Sequence, residues 1–404
     1  MKAPPIRNPG AVPSLIHTRN AVAISFALNG FCFATMVSRL PDIRSGLDLD
    51  NGSLGLLLLA ISVGSVIALP LSGRLIDRIG ATSVTRLGAI FVAAGLTVAM
   101  VGVSTDLVVL TVVGFFLDGI GIAVWDVSMN VEAAEVERRF ERTMMPRFHA
   151  GWSIGSFAGA AIGIPMAALH APLALHVPGF ALLAAVGAWR ASAAYLPPTI
   201  AHEDRTTAFV RSPWGEPRTL AIGVMVLAFA LSEGAANDWL SLALIDGYDV
   251  RHWVGVAGFT VFVTAMFVGR VTGPVVLDRY GRAPVLWGSA AAAFVGILLV
   301  VFGGNVVLVG IGIVVWGLGA SLGFPVGMSA AADDPLRAAR RVSVVSTIGY
   351  TAFLAGPPLL GLLADHIGTL ETLLVIAGLM IPAALTVFAA RPVRPDVTAE
   401  VASS

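Results

Sequence analysis

Apolar residues run almost unbroken for about 20 positions at a time, and short polar stretches separate the runs from Ala21 to the region of Ala390. A run of that length crosses a bilayer core as a helix. The runs are continuous and lack the ten-residue alternation of a membrane barrel, the other architecture that satisfies every backbone group in lipid. Twelve helices are therefore predicted. In the first half they cover 20–39, 52–73, 84–104, 107–134, 147–169 and 172–193. In the second they cover 218–240, 252–275, 284–303, 305–329, 342–364 and 370–390. The expected fold class is an all-α membrane protein of twelve transmembrane helices in two pseudo-symmetric six-helix bundles, 20–193 and 218–390. Residues 1–19 and 391–404 read as tails. Residues 194–217, with Pro197, Pro198 and a charged stretch beginning at His202, read as the linker.

Composition agrees with this pattern. The chain is 56% hydrophobic and 12% charged, with a mean hydropathy of +0.85. A soluble domain carries about 25% charged residues, so this chain has too few charges to coat a soluble surface. Zero formal net charge argues against a nucleic-acid partner. Cys32 is the only cysteine and excludes an intramolecular disulfide. The segment holding Pro4, Pro5, Pro9 and Pro13 has no continuous apolar core and reads as a polar tail, not a signal peptide.

The polar stretches contain a repeat. Gly73-Arg74-Leu75-Ile76-Asp77-Arg78-Ile79-Gly80 recurs as Val276-Leu277-Asp278-Arg279-Tyr280-Gly281-Arg282, with Asp77 and Asp278 separated by 278 − 77 = 201 positions. Leu47-Asp48-Leu49-Asp50 and Asp246-Gly247-Tyr248-Asp249 precede the two helices that run into these motifs. Gly119-Ile120-Gly121-Ile122 also recurs as Gly310-Ile311-Gly312-Ile313, but 310 − 119 = 191, and this match reads as chance. Arg74, Arg78, Arg86, Arg138, Arg139, Arg142 and Arg147 lie on one side of the predicted topology. So do Arg279, Arg282, Arg337, Arg340 and Arg341, whereas the opposite loops hold essentially Arg39, Arg44 and Arg251. The positive-inside rule places both termini, the linker and both motifs in the cytoplasm.

The chain resembles the major facilitator superfamily of secondary transporters. That family's signature between helices 2 and 3 is Gly-x-Leu-Ala-Asp-Arg-x-Gly-Arg-Lys. Gly73, Leu75, Asp77, Arg78 and Gly80 match it, and Ala81 replaces the following Arg. In the second copy Asp278, Arg279, Gly281 and Arg282 match, with Pro274 at the leading Gly. Arg39-Leu40-Pro41-Asp42-Ile43, Trp125-Asp126-Val127-Ser128-Met129-Asn130 and Phe148-His149-Ala150-Gly151-Trp152-Ser153 resemble a bacterial inner-membrane branch akin to the fucose:proton symporters. The resemblance implies a multi-pass protein of the bacterial cytoplasmic membrane, working as a monomer on a small-molecule substrate. It implies no cofactor beyond a proton gradient as energy source, and no enzyme activity. It also implies that the motif Asp and Arg pair across neighbouring helices to close the cytoplasmic side.

Ionisable groups inside membrane helices are functional candidates by default. In helix 4 these are Asp118, near mid-depth, and Asp126, which shares a face with Asn130 at i, i+4. Each can bind a proton or solute, or form a structural hydrogen bond. Glu132 and Glu135 are expected near the surface and solvated. In helix 7 Glu233 and Asn237 share a face; Glu233 handles a proton or substrate, or pairs with Arg270. Arg270 itself reads as a tether toward the motif, with binding of an anionic or polyhydroxyl substrate as the alternative. Arg39 and Asp238 are offered as an outer-gate pair, with Arg39–Asp42 as the local alternative. Asn29, Trp152, Ser153 and Tyr350 are candidates for lining the cavity, and His149 reads as a surface or gate residue. Gly151, Gly155, Gly159 and Gly163, spaced by four, read as a packing stripe.

Three functions remain in competition. The first is proton-coupled transport of a small polar solute, with a sugar or sugar-like metabolite favoured. The second is proton-driven efflux, which the absence of proline from Gly155–Gly159 disfavours. The third is a membrane sensor that does not transport, which the retained motifs and carboxylates disfavour.

Overall fold

The computed structural model describes residues 14–49, 51–197 and 212–392. The proline-bearing start of the N-terminal tail, most of the predicted linker and the end of the C-terminal tail lie outside the described residues. Secondary structure among the described residues is helical throughout. The chain divides into two compact units, 1–210 and 211–404.

The first unit holds α1 (Leu15–Val37), the short α2 (Leu40–Gly46), α3 (Asn51–Ser104), α4 (Val108–Phe140), α5 (Met145–Ala168) and α6 (Leu173–Ser192). α3 is two spans joined at Gly80, whose non-helical φ of 78° and ψ of 157° kink the chain between them. Six membrane-length helices result. The second unit holds α7 (Pro217–Tyr248), α8 (His252–Tyr280), α9 (Arg282–Phe302), α10 (Val306–Ala320) with its continuation α11 (Gly323–Ala331), α12 (Ala338–Ile367) and α13 (Thr369–Thr386). Counting Val306–Ala331 as one span gives six again. Helix ends run past the predicted bounds, most at α4, α7 and α8. The motifs are accordingly not loops. Asp77-Arg78 and Asp278-Arg279 sit in the last turns of helices, and only the motif glycine leaves the helix.

That glycine is required. Gly281 adopts φ 80° and ψ 167°, matching Gly80, and residues with a Cβ avoid this region. Gly368, closing Asp365-His366-Ile367-Gly368 between α12 and α13, has φ 95° and ψ 152°. A third Asp-x-x-Gly turn is thus present, which the motif reading had missed because it lacks the Arg.

Packing inside the first unit depends on backbones in close approach. A Cβ on Gly30 or Gly155 would overlap the carbonyls of Trp152 or Ala27, so α1 and α5 touch main chain to main chain. Gly159 meets Phe31 and Thr35 in the same seam, as expected of small-residue membrane interfaces. α4 packs in the same manner on both spans of α3, with Gly119 against Ile61 and Gly121 against Gly88.

The repeated Gly-Ile-Gly-Ile string is not idle. Gly312 packs on Gly296 as Gly121 packs on Gly88. Six residues after the start of each string a tryptophan follows, Trp125 and Trp316. Each is fully buried and donates Nε1–H to a serine on the first helix of its own unit, Ser25 and Ser232, both at 2.8 Å. Reading the match as chance was therefore wrong. The string fastens α4 to α3 and α1 in one unit and α10 to α9 and α7 in the other.

Candidate functional site

In the first unit α4 carries a buried polar ladder. Asn130 is fully buried and donates Nδ2–H to Asp126 Oδ1 at 3.2 Å and to the Asp126 carbonyl at 3.0 Å. Its Oδ1 lies 3.3 Å from His149 Nε2 on α5. An amide oxygen only accepts, so His149 donates from Nε2 in this arrangement. His149 is 9% exposed, with its ring edge-on to Phe26. The expectation of a surface histidine is therefore corrected: α1 covers it. Asp118 lies about 15 Å along α4 from Val108. It is 1% exposed, and its Oδ1 has no hydrogen-bond partner among the described residues.

Near this ladder, Trp152 on α5 donates Nε1–H to Asn29 Oδ1 at 3.0 Å. Its ring lies 5.7 Å from Phe33, itself 41% exposed. Asn29 therefore positions the indole and does not stand free to meet a solute.

Two glutamates depart from expectation. Glu132 is 5% exposed, not solvated, and accepts from Leu196 N at 2.7 Å. Glu137, which sequence reasoning did not single out, accepts from Met144 N and Met145 N at 2.6 and 2.7 Å. A carboxylate satisfies orphan N–H groups at the start of α5 and meets the positive end of its dipole. The signal was legible in principle: Pro146 marks a helix start, and an acid precedes it. Glu135 pairs at the surface with Arg138 and Arg139.

At the other end of the unit, Arg39 is 2% exposed. It pairs with Asp42 at 2.7 Å, approaches His176 Nδ1 at 3.0 Å and donates to the Ala171 carbonyl at 2.8 Å. The local Asp42 pairing that the sequence offered is present.

In the second unit Glu233 on α7 is clamped by Arg270 on α8, whose Nη2 lies 3.1 and 2.9 Å from the two carboxylate oxygens. The tether reading of Arg270 gives way to this pair. Asn237 and Asp238 are exposed, and Asp238 lines a narrow crevice between α7 and α12 with Leu231, Phe353 and Leu360. Tyr350 packs edge-on between Phe324 and Phe353.

The motif residues Asp77, Arg78, Asp278 and Arg279 are exposed. Arg282 bonds Asp333 at 2.7 Å and Ser329 at 2.8 Å, and Arg218 bonds the other oxygen of Asp333 at 2.6 Å. Alongside, Glu216 accepts from Arg341, Arg337 and Thr219. Partial burial works to raise the Glu216 carboxyl, but the bonds from Arg341, Thr219 and Arg337 outweigh it and hold the group below the usual carboxylate range.

Twelve helices in two units, turned by paired Asp-Arg-x-Gly glycines and carrying buried carboxylates, define a membrane transporter. The family model of the major facilitator superfamily matches residues 22–337 and 253–403, and the chain belongs to that family. It is 33% identical over 365 residues to an uncharacterised transporter of Sinorhizobium fredii, covering 89% of this chain and 94% of that one. Its fold is similar to the Escherichia coli fucose:proton symporter, with a TM-score of 0.79, 14% identity, and 94% and 100% of the two chains covered. It is also similar to a human organic anion transporter, with a TM-score of 0.74, 17% identity, and 93% and 100% covered. Its relatives are named as transporters, not enzymes.

Proposed function

We propose that this chain carries a small polar, sugar-like solute across the bacterial inner membrane by alternating access, in symport with protons, as a monomer with both termini in the cytoplasm. The observation that carries the reading is the Asp126–Asn130–His149 ladder. It joins a carboxyl to an imidazole across two helices through one buried amide, which is the equipment for receiving and handing on a proton. Asp118 adds a buried carboxyl oxygen with hydrogen-bonding capacity to spare. The Trp152–Phe33 pair offers an aromatic face of the kind on which sugar rings stack.

Glu233–Arg270 serves as the fixed charged wall of the second unit, and Asp238 and Asn237 as its exposed polar groups. Asp77, Arg78, Asp278, Arg279 and Arg282 act as gate parts, with Gly80 and Gly281 as the turns that hold them. Exposed pairs are worth about 0–1 kcal/mol each, which suits contacts that break in every cycle. The test is a thermal-stability screen against monosaccharides, polyols, organic anions and amphipathic drugs. Uptake of any stabilising compound into proteoliposomes under an imposed pH gradient follows. Stabilisation by a polyhydroxyl compound and gradient-driven accumulation support the reading. Stabilisation by amphipathic drugs alone, or extrusion against the gradient, transfers the assignment to efflux.

A further inference from the structure

α8 and α9 share the Gly281 turn and then diverge, and the far end of α10 forms the floor between them. The result is an open groove of about 510 Å3. Gly269 and Gly273 of α8, Gly288 of α9 and Gly319 of α10 are among its lining residues, Gly288 facing open space, and Tyr280 stands at its motif end. Tyr280 is 58% exposed, and Val275 and Val276 next to it are 63% and 41% exposed. In a chain that spans a bilayer, such apolar surface is made for acyl chains.

Two polar groups give the groove a direction. The Arg279 guanidinium lies 5.3 Å from the centre of the Tyr280 ring. It has no carboxylate partner among the described residues, whereas Arg282 beside it is taken by Asp333 and Ser329. About 10 Å deeper along α9 from Arg282, Ser289 is 7% exposed, and its side chain lines the groove. A cation beside the lining Tyr280, a hydroxyl one step deeper and a largely apolar trough, with the Thr272 and Ser321 hydroxyls turned to backbone carbonyls, follow the order of phosphate, ester carbonyl and acyl chain in a phospholipid. Basic crevices between membrane helices are known to hold anionic head groups.

We propose that the α8–α9–α10 groove binds an anionic phospholipid of the surrounding bilayer, with its phosphate on Arg279, an ester carbonyl on Ser289 and one acyl chain in the trough. Bound there, the lipid places a negative charge against the second Asp-Arg-x-Gly turn. The membrane's anionic content then enters the gate.

Native mass spectrometry of the purified protein, delipidated and offered equal phosphatidylglycerol and phosphatidylcholine, tests this. The wild type is expected to retain phosphatidylglycerol about fivefold over phosphatidylcholine, the value of one cation against an anionic lipid. Arg279→Gln brings that ratio to about one while a lipid is still held. Gly288→Trp removes retention of both lipids. A Cβ at Gly288 meets nothing within 4 Å, so the ring enters open groove, and an unchanged melting temperature without lipid shows that the variant is folded. Gly310→Leu, also in open space but outside the groove, leaves retention as in the wild type. Excess inorganic phosphate does not displace the lipid, since the trough holds its chain. A wild-type ratio of one, retention by Gly288→Trp equal to the wild type, or displacement by phosphate would overturn the proposal.

Discussion

The two units satisfy their buried charges differently. In the first, the Arg39–Asp42 pair aside, the buried carboxyls of α4 meet amides: Asp126 meets Asn130, Glu132 meets Leu196 N, and Glu137 meets Met144 N and Met145 N. In the second, carboxylates meet guanidiniums: Glu233 meets Arg270, Asp333 meets Arg218 and Arg282, and Glu216 meets Arg337 and Arg341. The Asn130 side chain carries both a donor and an acceptor, whereas the backbone N–H groups at Glu132 and Glu137 only donate and favour the charged carboxylate. An arginine partner stabilises the charged state alone. On the proposed function, Asp126 with its side-chain amide is the candidate for proton handling and the arginine-paired carboxylates of the second unit are fixed charges.

The contrast is broken most severely by removing one member of the second unit's buried pair. Arg270→Met leaves Glu233 uncompensated and costs about 3–5 kcal/mol. The double variant Glu233→Gln/Arg270→Met recovers most of that loss, as read by unfolding in mixed micelles; equal loss in the single and double variants would contradict the pairing. In the first unit, Asn130→Ala strips the amide from Asp126 and His149. It costs about 1–3 kcal/mol for buried groups left unsatisfied, less than Arg270→Met in the same assay.

Where the units are alike, the effects match. Trp125→Phe and Trp316→Phe each remove one buried hydrogen bond and cost about 1 kcal/mol. A large difference between their melting temperatures would mean that the two Gly-Ile-Gly-Ile strings do not share a role. The smallest effect falls on Glu216→Gln, up to about 1 kcal/mol at neutral pH. The Glu216 carboxyl is held below its ordinary value of 4.5. Its contribution is therefore complete above that pH and fades as pH falls through the folded value. Stability curves of the wild type and Glu216→Gln converge in acid and separate above about pH 4.5; parallel curves would refute the assignment.

The spans were legible because lipid imposes a single length and composition on every crossing helix. The Gly80 and Gly281 turns were legible because one glycine conformation requires one residue. What the sequence left open was partnership. Glu233 and Asp126 look alike as acids in apolar helices, and only the packing of α8 and α5 gives one an arginine and the other an amide. His149 reads as a surface residue by its position at a helix start, yet α1 lies over it. Glu132 and Glu137 lie near a helix end where solvent is the default, but Leu196 and the first amides of α5 reach them instead. The Gly-Ile-Gly-Ile match was discounted because its offset differs from that of the motif.

The central claim is that Asp126 carries the proton and not the solute. Its most direct measurement compares two assays on Asp126→Asn in proteoliposomes, using a solute found in the stability screen. In the first, labelled solute exchanges against unlabelled solute at equal pH; in the second, an imposed pH gradient drives accumulation. The account predicts that exchange persists while gradient-driven accumulation falls to the level seen with no gradient. Accumulation that still follows the gradient, or exchange lost together with it in a variant that still binds the solute, would contradict the claim.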